Sequence, residues 1–153
     1  DAVVASMLIC EAAAFYKAKG VTLLEALRGI YREYGYYYSC IGNFAFEGAS
    51  GMAKMAEIMT RVRNDAPRTI AGLRVLRFAD YLRSEQMDFV TGEKTVLTLP
   101  KSNVLVFDME ENASVIIRPS GTEPKIKFYA LTKNHSADAL LKDIMQYAER
   151  DFL

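Results

Sequence analysis

The stretch VLVFDMEENASVIIRPSGTEPKIKFYAL, residues 104–131, decides how this chain is read. Val104 to Met109 and Ser114 to Arg118 are β-rich runs, and Glu110-Glu111-Asn112 between them reads as a hairpin turn. Lys125 to Leu131 is a further strand. Ile126 and Phe128 share one face of it, so Lys127 points to the other. Upstream, Leu73 to Tyr81 alternates, and Thr95 to Leu99 is short and β-rich. Before these strands, Gly48 and Gly51 bracket a helix start. Met52, Met55, Met59 and Val62 then recur at helical spacing, and Pro67 follows the helix end. The methionines read as core filler rather than a metal or cofactor box. After the strands, Ser136 is placed to cap a last helix with Leu140, Leu141, Ile144, Met145, Ala148 and Phe152 as its buried stripe. The order from residue 44 onward is helix, strands, helix. It predicts an α+β fold: a mostly antiparallel sheet of four to five strands packed with two helices.

The first part of the chain is helical. Asp1 is placed to cap a helix carrying Val4, Met7, Leu8, Glu11 and Phe15, which Gly20 ends. Thr22 and Glu25 form a capping box that opens a second helix. Leu23, Leu27, Ile30, Tyr31 and Tyr34 form its stripe, and Gly35 closes it. So short a pair cannot bury its own apolar face and must pack on something else. Tyr36 to Phe46 reads as a strand or extended connector, with a linker near Gly42 to Gly48. Residues 1–43 are therefore expected to belong to a preceding unit and 44–153 to a separate domain.

Bulk properties exclude several classes. The chain of 153 residues is 51% hydrophobic and 25% charged, which supports a core and argues against disorder. Nineteen basic residues balance nineteen acidic ones. No electrostatic case exists for nucleic acid or an anionic membrane, and any anion site must be local. The longest apolar run, Ala2 to Cys10, is too short to span a bilayer. No basic segment precedes it, and the chain starts at Asp1 rather than Met, so a missing N-terminus is expected. Cys10, Cys40 and the lone His135 cannot supply the roughly four ligands of a zinc site. The cysteines read as buried reduced thiols of a cytosolic protein. The sequons at Asn112 and Asn134 are taken as chance matches.

Chemistry concentrates between the last two strands. Pro119 and Pro124 bracket the loop and stiffen it. Ser120 and Thr122 offer hydroxyls. Gly121 is able to take φ > 0 and let backbone N–H groups converge on an anion. Arg118 offers a planar fork that matches two phosphate oxygens, and Lys127 a second charge. The competing reading is a tight turn with Arg118 paired to Glu123, since Ser, Gly and Pro are ordinary turn residues.

Arg118-Pro119-Ser120-Gly121-Thr122-Glu123-Pro124-Lys125 resembles the signature of the last domain of the α-D-phosphohexomutases. Residues 1–10, the helix pair and Tyr34-Gly35-Tyr36-Tyr37-Tyr38 are similar to the end of that family's third domain. Lys125-Ile126-Lys127-Phe128-Tyr129 is more like the phosphoglucomutase/phosphomannomutase branch than the phosphoglucosamine branch. The resemblance implies a cytoplasmic four-domain parent that interconverts hexose 1-phosphate and hexose 6-phosphate. It does so through a phosphoserine and a bisphosphorylated sugar, with Mg2+ and a hexose 1,6-bisphosphate activator. The last domain is a lid that holds the non-reacting phosphate. Arg118, Ser120, Gly121, Thr122 and Lys127 match the positions that hold it. The partners implied are a phosphosugar and the missing upstream domains of the same chain, with no nucleic acid and no membrane. No catalytic or metal residue is expected on this piece; Ser6, Ser50 and Asp108 read as helix or turn residues. The piece alone is not expected to be active. The alternative is a stand-alone anion-binding module without catalysis.

Overall fold

The computed structural model describes residues 2–48, 50–133 and 136–152. By contacts the chain divides into two units, residues 1–37 and 38–153.

The first unit is the expected helix pair. Helix α1 spans Ala2–Ala18. Gly20, at φ 71°, ends it, with its N–H on the Lys17 carbonyl and the Val21 N–H on that of Tyr16. That pattern satisfies carbonyls a helix end leaves open. Helix α2 spans Leu23–Tyr34. The Thr22 hydroxyl accepts from the Glu25 N–H at 3.2 Å, and the Glu25 carboxylate accepts from the Thr22 N–H at 2.8 Å, so the capping box forms. No residue of either helix is buried, and Val3, Met7, Leu8, Ile9 and Phe15 are exposed.

The second unit is built on one sheet. In chain order its elements are β1 (Tyr37–Ala45), α3 (Gly51–Asn64), β2 (Thr69–Ile70), β3 (Leu73–Asp80), β4 (Glu85–Asp88), β5 (Lys94–Val96), β6 (Leu105–Met109), β7 (Ser114–Pro119), β8 (Lys125–Lys133) and α4 (Ala137–Phe152). The sheet has eight strands rather than four or five, in the order β1-β8-β7-β6-β3-β4-β5, with β2 beside β3. Of the added strands, β2 and β4 carry little β signal. Glu85-Gln86-Met87-Asp88 is polar and becomes a strand because it lies antiparallel beside β3. The expected boundary at residues 43 and 44 falls inside β1, whose Phe44 is part of the core.

Helices α3 and α4 cover one face of the sheet. Met55, Ile58, Met59 and Val62 of α3 and Leu140 and Ile144 of α4 meet Phe78, Leu105, Phe107, Val115, Ile117, Ile126 and Phe128 in one core. Met52 stays exposed, so the methionine stripe is core only from Met55 onward. Ser136 does cap α4, accepting from the Asp138 N–H at 3.2 Å. Asp1 as a cap, the sequon at Asn134, His135 and the side chains of Ala148 and Phe152 lie outside the described residues.

Strand β3 does not keep the simple alternation its sequence suggests. The register shifts between Val75 and Arg77, a bulge that turns Phe78 and Asp80 inward in place of Arg77. Buried Asp80 then meets Arg63 of α3 at 2.9 Å. Asp80 also accepts from the N–H groups of Leu82 and Arg83, and Arg63 donates to Asn103 at 2.6 Å. This pair ties the end of α3 to β3 and to the segment before β6.

Helix α4 approaches β1 closely at Gly42. A Cβ there would stand 2.7 Å from the Met145 sulfur and 3.0 Å from Leu141 Cδ1. Both neighbours are far parts of flexible side chains that can swing aside, so Gly42→Ala is expected to cost less than about 1 kcal/mol. Urea denaturation of the wild type and the variant checks this.

Candidate functional site

The loop of residues 120–124 joins β7 to β8. The Ser120 N–H donates to the Lys125 carbonyl at 2.8 Å, and the Lys125 N–H to that of Glu123 at 2.8 Å. The Phe46 N–H donates to the Pro124 carbonyl at 2.8 Å, which anchors the loop from the segment before α3. The Thr122 N–H reaches Ser120 Oγ at a long 3.5 Å. Gly121 does not take the positive φ expected of it, and a Cβ built on it meets nothing within 4 Å. Neither strain nor crowding within this fold therefore calls for glycine there.

The β7–β8 register decides which side chains meet. Ile117 lies opposite Phe128, and both are buried. The next pair is Arg118 opposite Lys127. Side chains alternate across a strand, so Arg118 and Lys127 share the face away from the helices. Lys125, two residues before Lys127, points the same way. Directly opposite like charges destabilise a sheet. Among the described residues no carboxylate pairs with Arg118. The carboxylate expected to do so in a simple turn, Glu123, forms its ion pair with Lys125 instead. The hydrogen bond from Lys125, then its charge, and more weakly that of Lys127, hold the Glu123 carboxyl below the usual glutamate range.

Arg118, Ser120, Gly121, Thr122 and Lys127 thus lie on one hairpin, at the end of the sheet where β7 stops and β8 starts. Two further contributors were not read from sequence. Lys125 was legible in principle, being two residues from Lys127. The anchoring of Pro124 by Phe46 had no local signal, because the partners are far apart in sequence.

Of the remaining candidates, the side chains of Ser6 and Asp108 have partners. Ser6 Oγ donates to the Ala2 carbonyl at 2.8 Å, as a helix serine does. Asp108 is not a helix or turn residue as expected but a residue of β6, where it accepts from Ser114 Oγ at 3.0 Å and faces Arg77 at 3.5 Å. Ser50 precedes α3. The cysteines are not buried as expected: Cys10 is exposed, and half-buried Cys40 donates to Asp138 at 3.0 Å, which raises its thiol pKa. A cavity of about 300 Å³ lies away from the loop, beside the buried Arg63–Asp80 pair, with Arg68, Phe89 and Lys94 on its wall. Its charges are mixed, and Arg68 is stacked on the Phe89 ring at 3.6 Å. Among the described residues no three His, Cys, Asp or Glu side chains stand together as a metal site, and no helix is long and apolar enough to cross a membrane.

Known proteins resemble this chain. A family model described as phosphoglucomutase/phosphomannomutase, C-terminal domain, matches residues 59–146. A phosphoglucomutase of Staphylococcus saprophyticus is 37% identical over 134 residues, which is 88% of this chain and 23% of that protein. A phosphoglucomutase of Staphylococcus epidermidis is 34% identical over 144 residues, 94% of this chain and 26% of that protein. The chain thus spans about a quarter of the length of these curated relatives. Among solved structures, the open form of the exocytosis-sensitive phosphoprotein pp63/parafusin, a phosphoglucomutase from Paramecium, aligns with TM-score 0.45 and 16% identity. That alignment covers 84% of this chain and 22% of that one.

The Glu123–Lys125 pair has a testable pH signature. Because the Glu123 pKa is lowered in the fold, the pair is fully present above the ordinary glutamate pKa. It is lost as pH falls through the lowered value. Carboxyl-carbon NMR is expected to show Glu123 titrating below the ordinary glutamate range, and Lys125→Met is expected to move it back up.

Proposed function

The chain belongs to the phosphoglucomutase/phosphomannomutase family and carries its C-terminal domain. From that premise we propose that this domain is the phosphate-binding lid of a hexose phosphate mutase. The parent interconverts hexose 1-phosphate and hexose 6-phosphate through a phosphoserine and a bisphosphorylated sugar intermediate. Residues 38–153 hold the phosphate that is not reacting. The observation that carries this reading is the Arg118–Lys127 cross-strand pair. Two cations lie opposite each other, and among the described residues no carboxylate pairs with Arg118; like charges across a sheet are unfavourable to it, and two cations together suit a phosphate dianion.

Each residue has a physical role in this reading. Arg118 presents two N–H groups to two phosphate oxygens. Lys127 adds a point charge from the neighbouring strand. Ser120 Oγ accepts from the Thr122 N–H, which leaves its O–H to donate to phosphate. Thr122 donates a hydroxyl, and the open side of Gly121 lets a phosphate oxygen approach the backbone. Holding the remote phosphate orients the reacting end of the sugar and supplies binding energy for closure. The phosphoserine, the Mg2+ ligands and the groups that choose the hexose belong to the upstream part of the parent. The helix pair of residues 1–37 completes the preceding domain. Its α1 is apolar all round yet buries nothing, as expected of a helix whose packing partners lie elsewhere in the parent.

Arg118→Ala is expected to weaken phosphate binding by about 1.5–3 kcal/mol, roughly ten- to a hundredfold, with the fold intact. Amide NMR titration of this chain with glucose 1-phosphate and with inorganic phosphate checks it, as do steady-state kinetics of the parent. Wild-type behaviour in both assays removes Arg118 from the site. Removal of residues 1–36 is expected to leave a chain that melts cooperatively. A broad, non-cooperative transition would place α1 and α2 inside the folding unit.

A further inference from the structure

We propose that Gly51 is a positioning residue for the phosphate loop. The first turn of α3 forms a seat for Pro124 that sets where Ser120, Gly121 and Thr122 stand. This rests on the phosphate-binding reading of the loop.

Gly51 opens α3, and a glycine there has either a backbone or a packing reason. Backbone conformation does not supply one, because Gly51 is not among the residues with positive φ. Space does. Gly51 is buried, and a Cβ on it would stand 2.8 Å from Pro124 Cβ, 2.9 Å from the Phe46 carbonyl oxygen and 3.2 Å from Phe46 Cβ. The first neighbour is part of a rigid ring and the second is main chain, so neither can swing aside.

One of the three partners must move. Helix α3 is held by Met55, Ile58, Met59 and Val62, all buried. Phe46 is itself core, packed against Phe44 with ring centroids 5.1 Å apart. The loop is the least buried of the three, so it yields. Its movement cannot stay local. Pro124 accepts from the Phe46 N–H, and the next residue, Lys125, accepts from the Ser120 N–H. Helix, Pro124, Lys125 and Ser120 thus form one chain of contacts ending at the hydroxyls and amides that would meet phosphate. Gly121 is the contrast, since a Cβ there meets nothing and leaves the loop where it is. One glycine makes room for the loop and the other for the ligand.

The test uses the full 153-residue chain. Wild type, Gly51→Ala and Arg118→Ala are titrated with inorganic phosphate and followed by amide NMR. Gly51→Ala is expected to weaken phosphate binding about tenfold while core amide shifts and cooperative melting are kept. A folded Gly51→Ala chain that binds phosphate as wild type does overturns the proposal, even if its melting temperature falls. Hydrogen exchange of the Phe46 amide in the wild type gives a second reading that needs no variant. Saturating phosphate is expected to slow it about threefold or more, because a held loop holds its seat. Unchanged exchange overturns the proposal. If Arg118→Ala also binds as wild type, the phosphate site itself is misassigned and the seat falls with it. If Arg118→Ala binds weakly and Gly51→Ala normally, only the seat is wrong.

Discussion

The register of β7 on β8 is the constraint on which the rest of the second unit depends. Ile117 lies opposite Phe128, and both enter the core under α3 and α4. A side-chain period of two then leaves no choice about their neighbours: Arg118 and Lys127 meet on the open face. A slip of one residue would turn Ile126 and Phe128 to solvent and send Lys127 into the core. The hydrophobic cost of that slip locks the register, and the locked register sets two cations on neighbouring strands of the open face. Packing on one face of the sheet thus decides which side chains share the other.

Around that register the domain supplies rigidity in stages. The buried Arg63–Asp80 pair ties the end of α3 to β3, and Arg63 reaches on to Asn103 before β6. The start of α3 meets Pro124 and Phe46 at Gly51. The same helix therefore touches both the far strands of the sheet and the loop at its near corner. The loop keeps few internal bonds of its own and borrows its position from α3 and Phe46. The division gives the domain a firm base and a lightly bonded tip.

The first unit obeys the same local rules with a different outcome. The Thr22–Glu25 capping box and the Gly20 and Gly35 terminators form as read, because each depends on residues within one turn of each other. Those local signals make two helices but no core. An α1 with Val3, Met7, Leu8, Ile9 and Phe15 all exposed lacks the packing from which most helices draw their stability.

By itself the sequence determined the elements whose signals are local and periodic. These include α2 with its capping box, the stripe from Met55 to Val62, the strands at β6, β7 and β8, and the helix that Ser136 caps. It also determined the family likeness, since the run from Arg118 to Lys125 is contiguous. Only the tertiary structure decided the rest. Glu85–Asp88 carries no β pattern and is a strand only because β3 offers it a ladder. The bulge in β3 that turns Asp80 inward is settled by the register with β6 and by a guanidinium arriving from α3. The crowding of Gly51 against Pro124 arises between groups that folding alone brings together. Local propensity is written in neighbouring residues, whereas register, burial and the pairing of charges are energies of contacts between distant ones.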